Sequence, residues 1–478
     1  MLFNSFNFLI FFPIVTIIYF LLPHKFRWIH LLLASCVFYC VFIPIYILIL
    51  LTTILIDYFA GIYIEKSQGK QRKAGLLISI LSTCSVLFIF KYFNFFTNNF
   101  ILLAELLDLH YPISTLKIIL PIGLSFHTFQ SLSYVIEVYR GKQKAEKHFG
   151  IYSLYVMFYP QLVAGPIERP QNLLHQFYEK HDFNYDNIVA GIKQMAWGMF
   201  KKVVIADRLA SYVTAVYPNY DRHNGTGLLL ATIFFAFQIY CDFSGYSDIA
   251  IGCARTMGFK LTTNFNRPYF SKSVSEFWKR WHISLSTWFR DYVYIPLGGN
   301  RVSTPRKFFN LVVTFCISGL WHGAQWTYVI WGGLNSTYLI VPQLFYKRSR
   351  QIGNVFRTNR YSIVFMQILN TLSTFLLILI GWILFRAPKL SVATNIFHKI
   401  IFEQGPLFIG DKKNMGYSVI FLVILLIVEF FEEFKLFNAF TLFNNSNIYV
   451  RRLSYISVVI LILIFGVFDN SQFIYFQF

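Results

Sequence analysis

Charged residues are scarce in this sequence. They make up only 13% of its 478 residues, whereas about a quarter is usual for a soluble protein of this length. No stretch is both long and polar enough to form a separate soluble domain, so one domain spanning residues 1–478 is expected. The deficit argues against an ordinary soluble fold.

Paired cysteines and several signature motifs are also missing. The six cysteines lie in or beside apolar segments, and none belongs to a C-x-x-C pair. They are interpreted as small buried hydrophobic residues, so neither a disulfide framework nor a zinc site is expected. The chain has no P-loop, dinucleotide fingerprint, G-x-S-x-G or H-E-x-x-H motif. A hydrolase or an ATPase therefore has no support, and neither a bound metal nor a tightly bound cofactor is expected.

Long apolar segments dominate the chain. Hydrophobic residues make up 56% of it and aromatic residues 20%. About 20 apolar residues cross the roughly 30 Å of hydrocarbon in a bilayer. We therefore predict an all-α polytopic membrane protein. Candidate spans are 6–22, 28–43, 45–64, 74–96, 116–139, 149–164, 227–252, 308–333, 361–385, 416–434 and 455–476.

The net charge of +20 is explained by the loops. Basic clusters at 66–73, 140–147, 301–307 and 347–360 fall in short connections between apolar segments. This is the positive-inside pattern, which places those loops in the cytoplasm. Nucleic-acid binding would need the basic residues on one solvated face, and it is not expected.

The central third of the chain departs from the simple spanning pattern. Lys201 and Lys202 lie in the middle of the apolar stretch 191–213, where exposure to lipid would cost several kcal/mol. The stretch is predicted to lie at the membrane surface or to be a re-entrant piece packed on other helices. Polar groups that enter a membrane are the first place to look for function.

A second unusual stretch covers 273–301. Ser273 and Glu276 have the spacing of a capping box, which starts a helix, and Pro296 ends it. One amphipathic helix at or in the membrane is predicted, with His282 on a face next to Trp278. Its aromatic stripe is Phe277, Trp281, Leu285, Trp288 and Tyr292.

Two histidines are candidates for chemistry. His322 has about a dozen apolar or small residues on each side, which places it near mid-membrane if 308–333 is one span. A neutral imidazole there can take a proton from a hydroxyl and pass it on, although a structural histidine is the alternative. His282 is the second candidate, although a histidine in an amphipathic helix is more often structural. Acyl transfer needs a base on the attacking hydroxyl and a donor for the oxyanion or the leaving thiol.

Further residues are candidates for binding. Gln238 and Asp242 are one helical turn apart and can face the same interior, either as the lining of a substrate channel or as contacts between helices. Tyr246, Trp278 and Trp321 are predicted to line the same path. Three basic residues can hold the phosphates of a thioester donor, or lipid headgroups; they are Lys279, Arg280 and Arg290.

Several motifs in order resemble the membrane-bound O-acyltransferase family. The similarity is strongest to its alginate O-acetyltransferase branch, which includes peptidoglycan O-acetyltransferases and is related to D-alanyl transferases of teichoic acid. The matching stretches are PIGLSFHTFQSLSYVIEVYRG (121–141), YPQLVAGPIERP (159–170), FQIYCDFSGYSDIAIG (237–252), 264–301, SGLWHGAQWTYVIWGG (318–333) and FIYFQF (473–478).

The resemblance implies a fold and a reaction. His322 matches the catalytic histidine of the family, and His282 matches the second histidine of this branch. About 11 transmembrane helices, with re-entrant and amphipathic helices, would surround a central tunnel in the bacterial cytoplasmic membrane. An acyl group, expected to be acetyl, would pass from acyl-CoA or a carrier-protein thioester to an extracytoplasmic glycan, directly or through an extracytoplasmic acetyltransferase partner. Transfer of D-alanine toward teichoic acid and a non-catalytic acyl exporter or transporter stay open.

Overall fold

The computed structural model describes residues 1–109, 111–118, 120–345, 360–435 and 447–468. Their regular structure is helical throughout, and no β-strand occurs within these ranges. The basic cluster after Phe345, as far as residue 359, and the FIYFQF motif lie outside the described residues.

Six helices in the described ranges are long and apolar enough to cross a membrane. They establish an all-α integral membrane protein, whereas the finer prediction of about 11 spans around a tunnel stays a prediction. The six are Tyr46–Lys66, Gly69–Leu106, Gly225–Thr256, Tyr361–Arg386, Lys412–Glu433 and Ile448–Phe465; shorter apolar helices are Phe6–Leu21 and Leu390–Phe402.

Residues Met1–Met195 and Tyr246–Thr262 belong to one compact unit. In it, α3 packs against α4, α6 and α7, and α2 packs against α7. The helices are α1 (Phe6–Leu21), α2 (His24–Cys40), α3 (Tyr46–Lys66), α4 (Gly69–Leu87), α5 (Phe93–Leu106), α6 (Leu124–Tyr139) and α7 (Phe149–Met157), followed by α8 (Tyr185–Met199), which continues into the second unit.

The second unit contains Ala196–Gly245 and most of the chain after Thr263. Here α13 packs along α14, α14 against α15, and α15 against α16. The helices are α9 (Asp207–Val216), α10 (Gly225–Thr256, whose last residues belong to the first unit), α11 (Val274–Arg280), α12 (Ile283–Phe289), α13 (Thr304–His322), α14 (Trp326–Leu344), α15 (Arg360–Arg386), α16 (Leu390–Phe402), α17 (Lys412–Glu433) and α18 (Ile448–Phe465).

The prediction of a single span at 308–333 is wrong. The segment forms parts of two helices, α13 and α14, joined by three residues after His322. Two glycines allow the helices of this hairpin to approach closely: a Cβ on Gly319 would run into the carbonyl oxygen of Tyr328, and one on Gly332 into that of Phe315. Hydropathy does not reveal such a turn because Gly-Ala-Gln is short and only weakly polar.

The prediction of one continuous helix in 273–301 is also wrong. Its start is confirmed, because the Ser273 hydroxyl accepts a hydrogen bond from the Glu276 amide at 3.1 Å. The helix ends at Arg280, and a new one begins at Ile283 after His282 adopts a left-handed conformation with φ 42° and ψ 56°. The aromatic stripe is nevertheless buried at all five positions, because the two short helices keep their apolar residues on the protein side.

Other boundaries differ as well. The helix predicted at 116–139 begins at Leu124, and the one predicted at 149–164 ends at Met157. Every residue of Phe200–Ala206, including Lys201 and Lys202, is buried. The two lysines are therefore packed inside the protein, as the second of the two predictions expected, and the position of the stretch relative to the membrane stays a prediction.

Candidate active site

His322 is the last residue of α13, at the turn of the hairpin. Its side chain is buried, with 5% of its surface exposed. Its ring centroid lies 4.8 Å from that of Trp321 and 5.3 Å from those of Trp331 and Phe385. These aromatic walls disfavour a resident charge. The carboxyl end of a helix carries partial negative charge, which stabilises the imidazolium that forms when the ring takes up a proton.

His282 lies between α11 and α12 and is 1% exposed. Its Nδ1 atom is 3.1 Å from the Oδ1 atom of Asn264. Its ring meets Phe243 edge to face, with 4.5 Å between centroids. Burial lowers the pKa of His282 to about 3, so the imidazole is neutral at physiological pH.

The ring of Trp321 lies near both histidines. Its ring centroid lies 6.4 Å from His282 and 4.8 Å from His322. Trp278 lies near them, with its ring 5.7 Å from that of Trp331. The structure therefore brings together four residues that sequence reasoning selected separately. Their catalytic or lining roles stay predictions.

A cavity of about 430 Å³ opens beside this cluster. That volume lies within the range of small-molecule sites. Ser318, one turn before His322, and Ile283, directly after His282, both contribute to its wall. The full lining is Ser275, Trp278, Lys279, Ile283, Leu285, Ser286, Thr287, Phe289, Arg290, Tyr294, Leu311, Thr314, Phe315, Ser318 and Leu339. The cavity is thus mainly apolar, with hydroxyl groups and two basic residues.

The three predicted phosphate-binding residues have different surroundings. Lys279 and Arg290 are exposed and line the cavity, and the Arg290 Nε atom lies 2.7 Å from one carboxylate oxygen of Asp291. The guanidinium of Arg280 instead lies 2.6 Å from a carboxylate oxygen of Glu276 and 2.8 Å from one of Glu433. Because two carboxylates already balance its charge, Arg280 is less suited to a phosphate than the other two.

Asp242 is deeply buried in α10, with 3% of its surface exposed. Its Oδ1 atom lies 2.6 Å from the Nζ atom of Lys202, which is also 2.8 Å from Asp207. Burial lowers the pKa of Lys202, but the two carboxylates outweigh it and raise the pKa above its ordinary value. The sequence marked both lysines as unusual but did not predict this ion pair, whose members are far apart in the chain.

Two predicted lining residues accompany Asp242 on α10. Gln238 is half-buried, one turn before Asp242. Tyr246 is buried in the first unit, where its ring centroid lies 4.4 Å from that of Phe3. Their lining role stays a prediction. Within the described part of the chain, no group of three or more histidine, cysteine or acidic side chains is placed to hold a metal.

Comparisons with known proteins identify the family of this chain. Residues 147–385 match the membrane-bound O-acyltransferase family. The chain is 38% identical over 402 residues to the probable alginate O-acetylase AlgI of Azotobacter vinelandii, covering 83% of this chain and 77% of the relative. It is 34% identical over 402 residues to a peptidoglycan O-acetyltransferase of Helicobacter pylori, covering 78% and 74%. A teichoic acid D-alanyltransferase of Bacillus subtilis is 28% identical over 242 residues, covering 48% and 60%.

The family match extends over both histidines. The long apolar helices agree with a membrane enzyme. The chain belongs to the membrane-bound O-acyltransferase family, in its alginate O-acetyltransferase-like branch, and is an O-acyltransferase.

Proposed function

We propose that this protein transfers an acetyl group from a cytoplasmic thioester, acyl-CoA or an acyl carrier protein, to hydroxyls of an extracytoplasmic glycan. The observation that supports this most is the placement of both histidines on Trp321, beside a cavity lined by Lys279 and Arg290. The named relatives act on alginate, peptidoglycan and teichoic acid. The glycan is therefore an exopolysaccharide such as alginate, or peptidoglycan.

His322 is the proposed base of the reaction. It takes the proton of the acceptor hydroxyl, whose oxygen attacks the thioester carbonyl carbon and forms the new C–O bond. The C–S bond then breaks, and the proton ends on the sulfur of the leaving thiol. His282 either donates to the acyl carbonyl or carries the proton. Binding both substrates at one site adds the benefit of proximity.

The wider architecture completes the proposal. The whole chain acts as one catalytic domain in the bacterial cytoplasmic membrane, with about 11 membrane-crossing helices around a tunnel that joins the two faces. The basic loops face the donor in the cytoplasm. An extracytoplasmic acetyltransferase partner receives the acetyl group where the glycan is not acetylated directly.

Two other functions have some support. The D-alanyltransferase relative favours transfer of D-alanine toward teichoic acid. A non-catalytic acyl exporter would share the intramembrane polar groups, which transporters also use. Acetyl transfer is preferred because the acetyltransferase relatives match far more of the chain.

Radiolabelled acetyl-CoA tests the proposal directly. Purified full-length protein in lipid vesicles is expected to release coenzyme A and to label unacetylated alginate or peptidoglycan fragments. Label on an added extracytoplasmic partner protein would identify the relayed route. If D-alanine from a charged carrier protein is transferred and acetyl is not, acetyl transfer is wrong; if label crosses the vesicle unreacted, the protein is an exporter.

Removal of the basic residues at the cavity is expected to weaken donor binding. In the variant Lys279→Ala/Arg290→Ala, the KM for acetyl-CoA should rise about 10- to 100-fold with little change in kcat, because charge-assisted bonds to phosphate act in binding and not in the chemical step. Arg306→Ala removes an exposed arginine that does not line the cavity, and its KM should not change. Equal KM values in all three proteins would contradict donor binding here.

A further inference from the structure

Asn264 holds the segment around His282, which it precedes by 18 residues. It is fully buried. Its backbone oxygen accepts from the Ile283 amide at 2.9 Å. Its side-chain Oδ1 atom accepts from the Ser284 amide at 3.2 Å and from the Ser284 hydroxyl at 2.9 Å. Asn264 thereby satisfies backbone N–H groups at the start of α12, which His282 does not cap with its own side chain.

The backbone of His282 indicates why this support is needed. A left-handed conformation at a residue with a β-carbon costs about 1 kcal/mol or more. Such a conformation persists only where surrounding contacts enforce it. The hydrogen bonds that the Ile283 and Ser284 amides donate to Asn264 are contacts of this kind. They fix the position of the His282 imidazole.

The same contacts determine which imidazole nitrogen carries the proton. A backbone N–H can only donate, so the Asn264 atom that faces the Ser284 amide must be the oxygen and not the nitrogen. That oxygen can only accept. The His282 Nδ1 atom, 3.1 Å away, must therefore carry a hydrogen. In a neutral imidazole the other nitrogen, Nε2, then bears the lone pair.

We infer that Asn264 is a positioning residue that holds His282 as the Nδ1–H tautomer, so that Nε2 serves as a proton acceptor in acyl transfer. This rests on the proposed function and decides between its two roles for His282. A neutral Nε2 without hydrogen has nothing to donate to an acyl carbonyl. His282 instead carries the proton: the hydroxyl O–H bond breaks, the proton passes through the histidine pair, and it ends on sulfur as the C–S bond breaks.

A double-mutant cycle tests this inference. With acetyl-CoA and a glycan acceptor, Asn264→Leu is expected to lower kcat about 30-fold with little change in KM, as loss of an orienting partner does. In a His282→Ala background, Asn264→Leu should have no further effect, because Asn264 acts through the imidazole. A further loss of kcat in that background would show a role in folding or elsewhere and would overturn the inference.

The variant Asn264→Asp provides a second readout. A carboxylate also accepts from Nδ1 and Ser284, but its charge stabilises the imidazolium and raises the pKa of His282. As the pH falls, His282 therefore becomes protonated, and stops acting as a base, at a higher pH than in the unchanged protein. The acid limb of the kcat profile should therefore move to higher pH than in the unchanged protein. An unmoved profile in an active Asn264→Asp protein would contradict the tautomer assignment.

Asn310→Leu is the matched control, since Asn310 is equally buried in the second unit and its amide bonds the Gly299 carbonyl. It should lose stability but keep its kcat and pH profile. Failure of the proposed function would look different: His322→Ala and His282→Ala would both retain acyl transfer. If both lose activity while Asn264→Leu keeps the normal kcat, only the present inference fails.

Discussion

Replacement of His322 by alanine is expected to lower the rate of acetyl transfer by about 10³-fold, the range of general base catalysis. The imidazole lies at the carboxyl end of α13 among Trp321, Trp331 and Phe385 and is only 5% exposed, so bulk solvent has little access to take the proton. The KM for acetyl-CoA should change little, because the lost interaction belongs to the chemical step. Coenzyme A release by vesicle-embedded protein measures both constants.

His398→Ala is the matched control for this prediction. His398 lies on α16 in the same unit, but it is exposed and pairs with Glu403. Its replacement should leave both kinetic constants unchanged. If the His322→Ala protein inserts at normal yield and transfers acetyl groups as fast as the unchanged protein, His322 is not the base.

The second large effect concerns the buried lysine. Lys202→Met removes the cation shared by two buried carboxylates, those of Asp242 and Asp207. Removal of one side of a buried charge cluster costs about 3–5 kcal/mol. The midpoint of thermal unfolding in detergent should fall by roughly 3–5 °C, more than for Asp242→Leu, which leaves Lys202 next to Asp207. Unfolding monitored by fluorescence measures the midpoints of both variants and shows which one is lower.

A triple variant separates stability from function. Replacement of the whole cluster in Lys202→Met/Asp207→Leu/Asp242→Leu should restore most of the lost stability, because apolar groups of similar volume often match a buried ion pair. The exposed Lys272 provides the control, and Lys272→Met should unfold as the unchanged protein does. If the triple variant is less stable than Lys202→Met, the unpaired carboxylates are not the cause of the lost stability. A stable but inactive triple variant would show that the charge cluster also serves the substrate path.

The membrane class and the start of the amphipathic stretch were predictable from local signals. Apolar length predicted the long helices, and the Ser273–Glu276 spacing predicted a helix start that the structure confirms. The breaks at His282 and after His322 were not predictable. Each is a one- to three-residue change in backbone direction that leaves the hydrophobic pattern almost unaltered.

Partners far apart in the chain were also beyond sequence reasoning. Lys202 was recognised as out of place in an apolar stretch, which was a correct signal, but nothing local identified Asp242 as its partner. Asn264 is the first residue of the matched stretch 264–301 but had no predicted role, because its importance comes from three side-chain hydrogen bonds to residues 18 and 20 positions further along the chain.

The sequence by itself determined that this chain is helical, resides in a membrane and carries two histidines in the acyltransferase motifs, because composition, periodicity and motif order are properties of neighbouring residues. Only the tertiary structure decided that the Trp321 ring lies near both histidines, that α13 and α14 form a hairpin, and which imidazole nitrogen of His282 carries hydrogen. Those outcomes depend on close packing at glycines and on hydrogen bonds between distant segments, which no local pattern encodes.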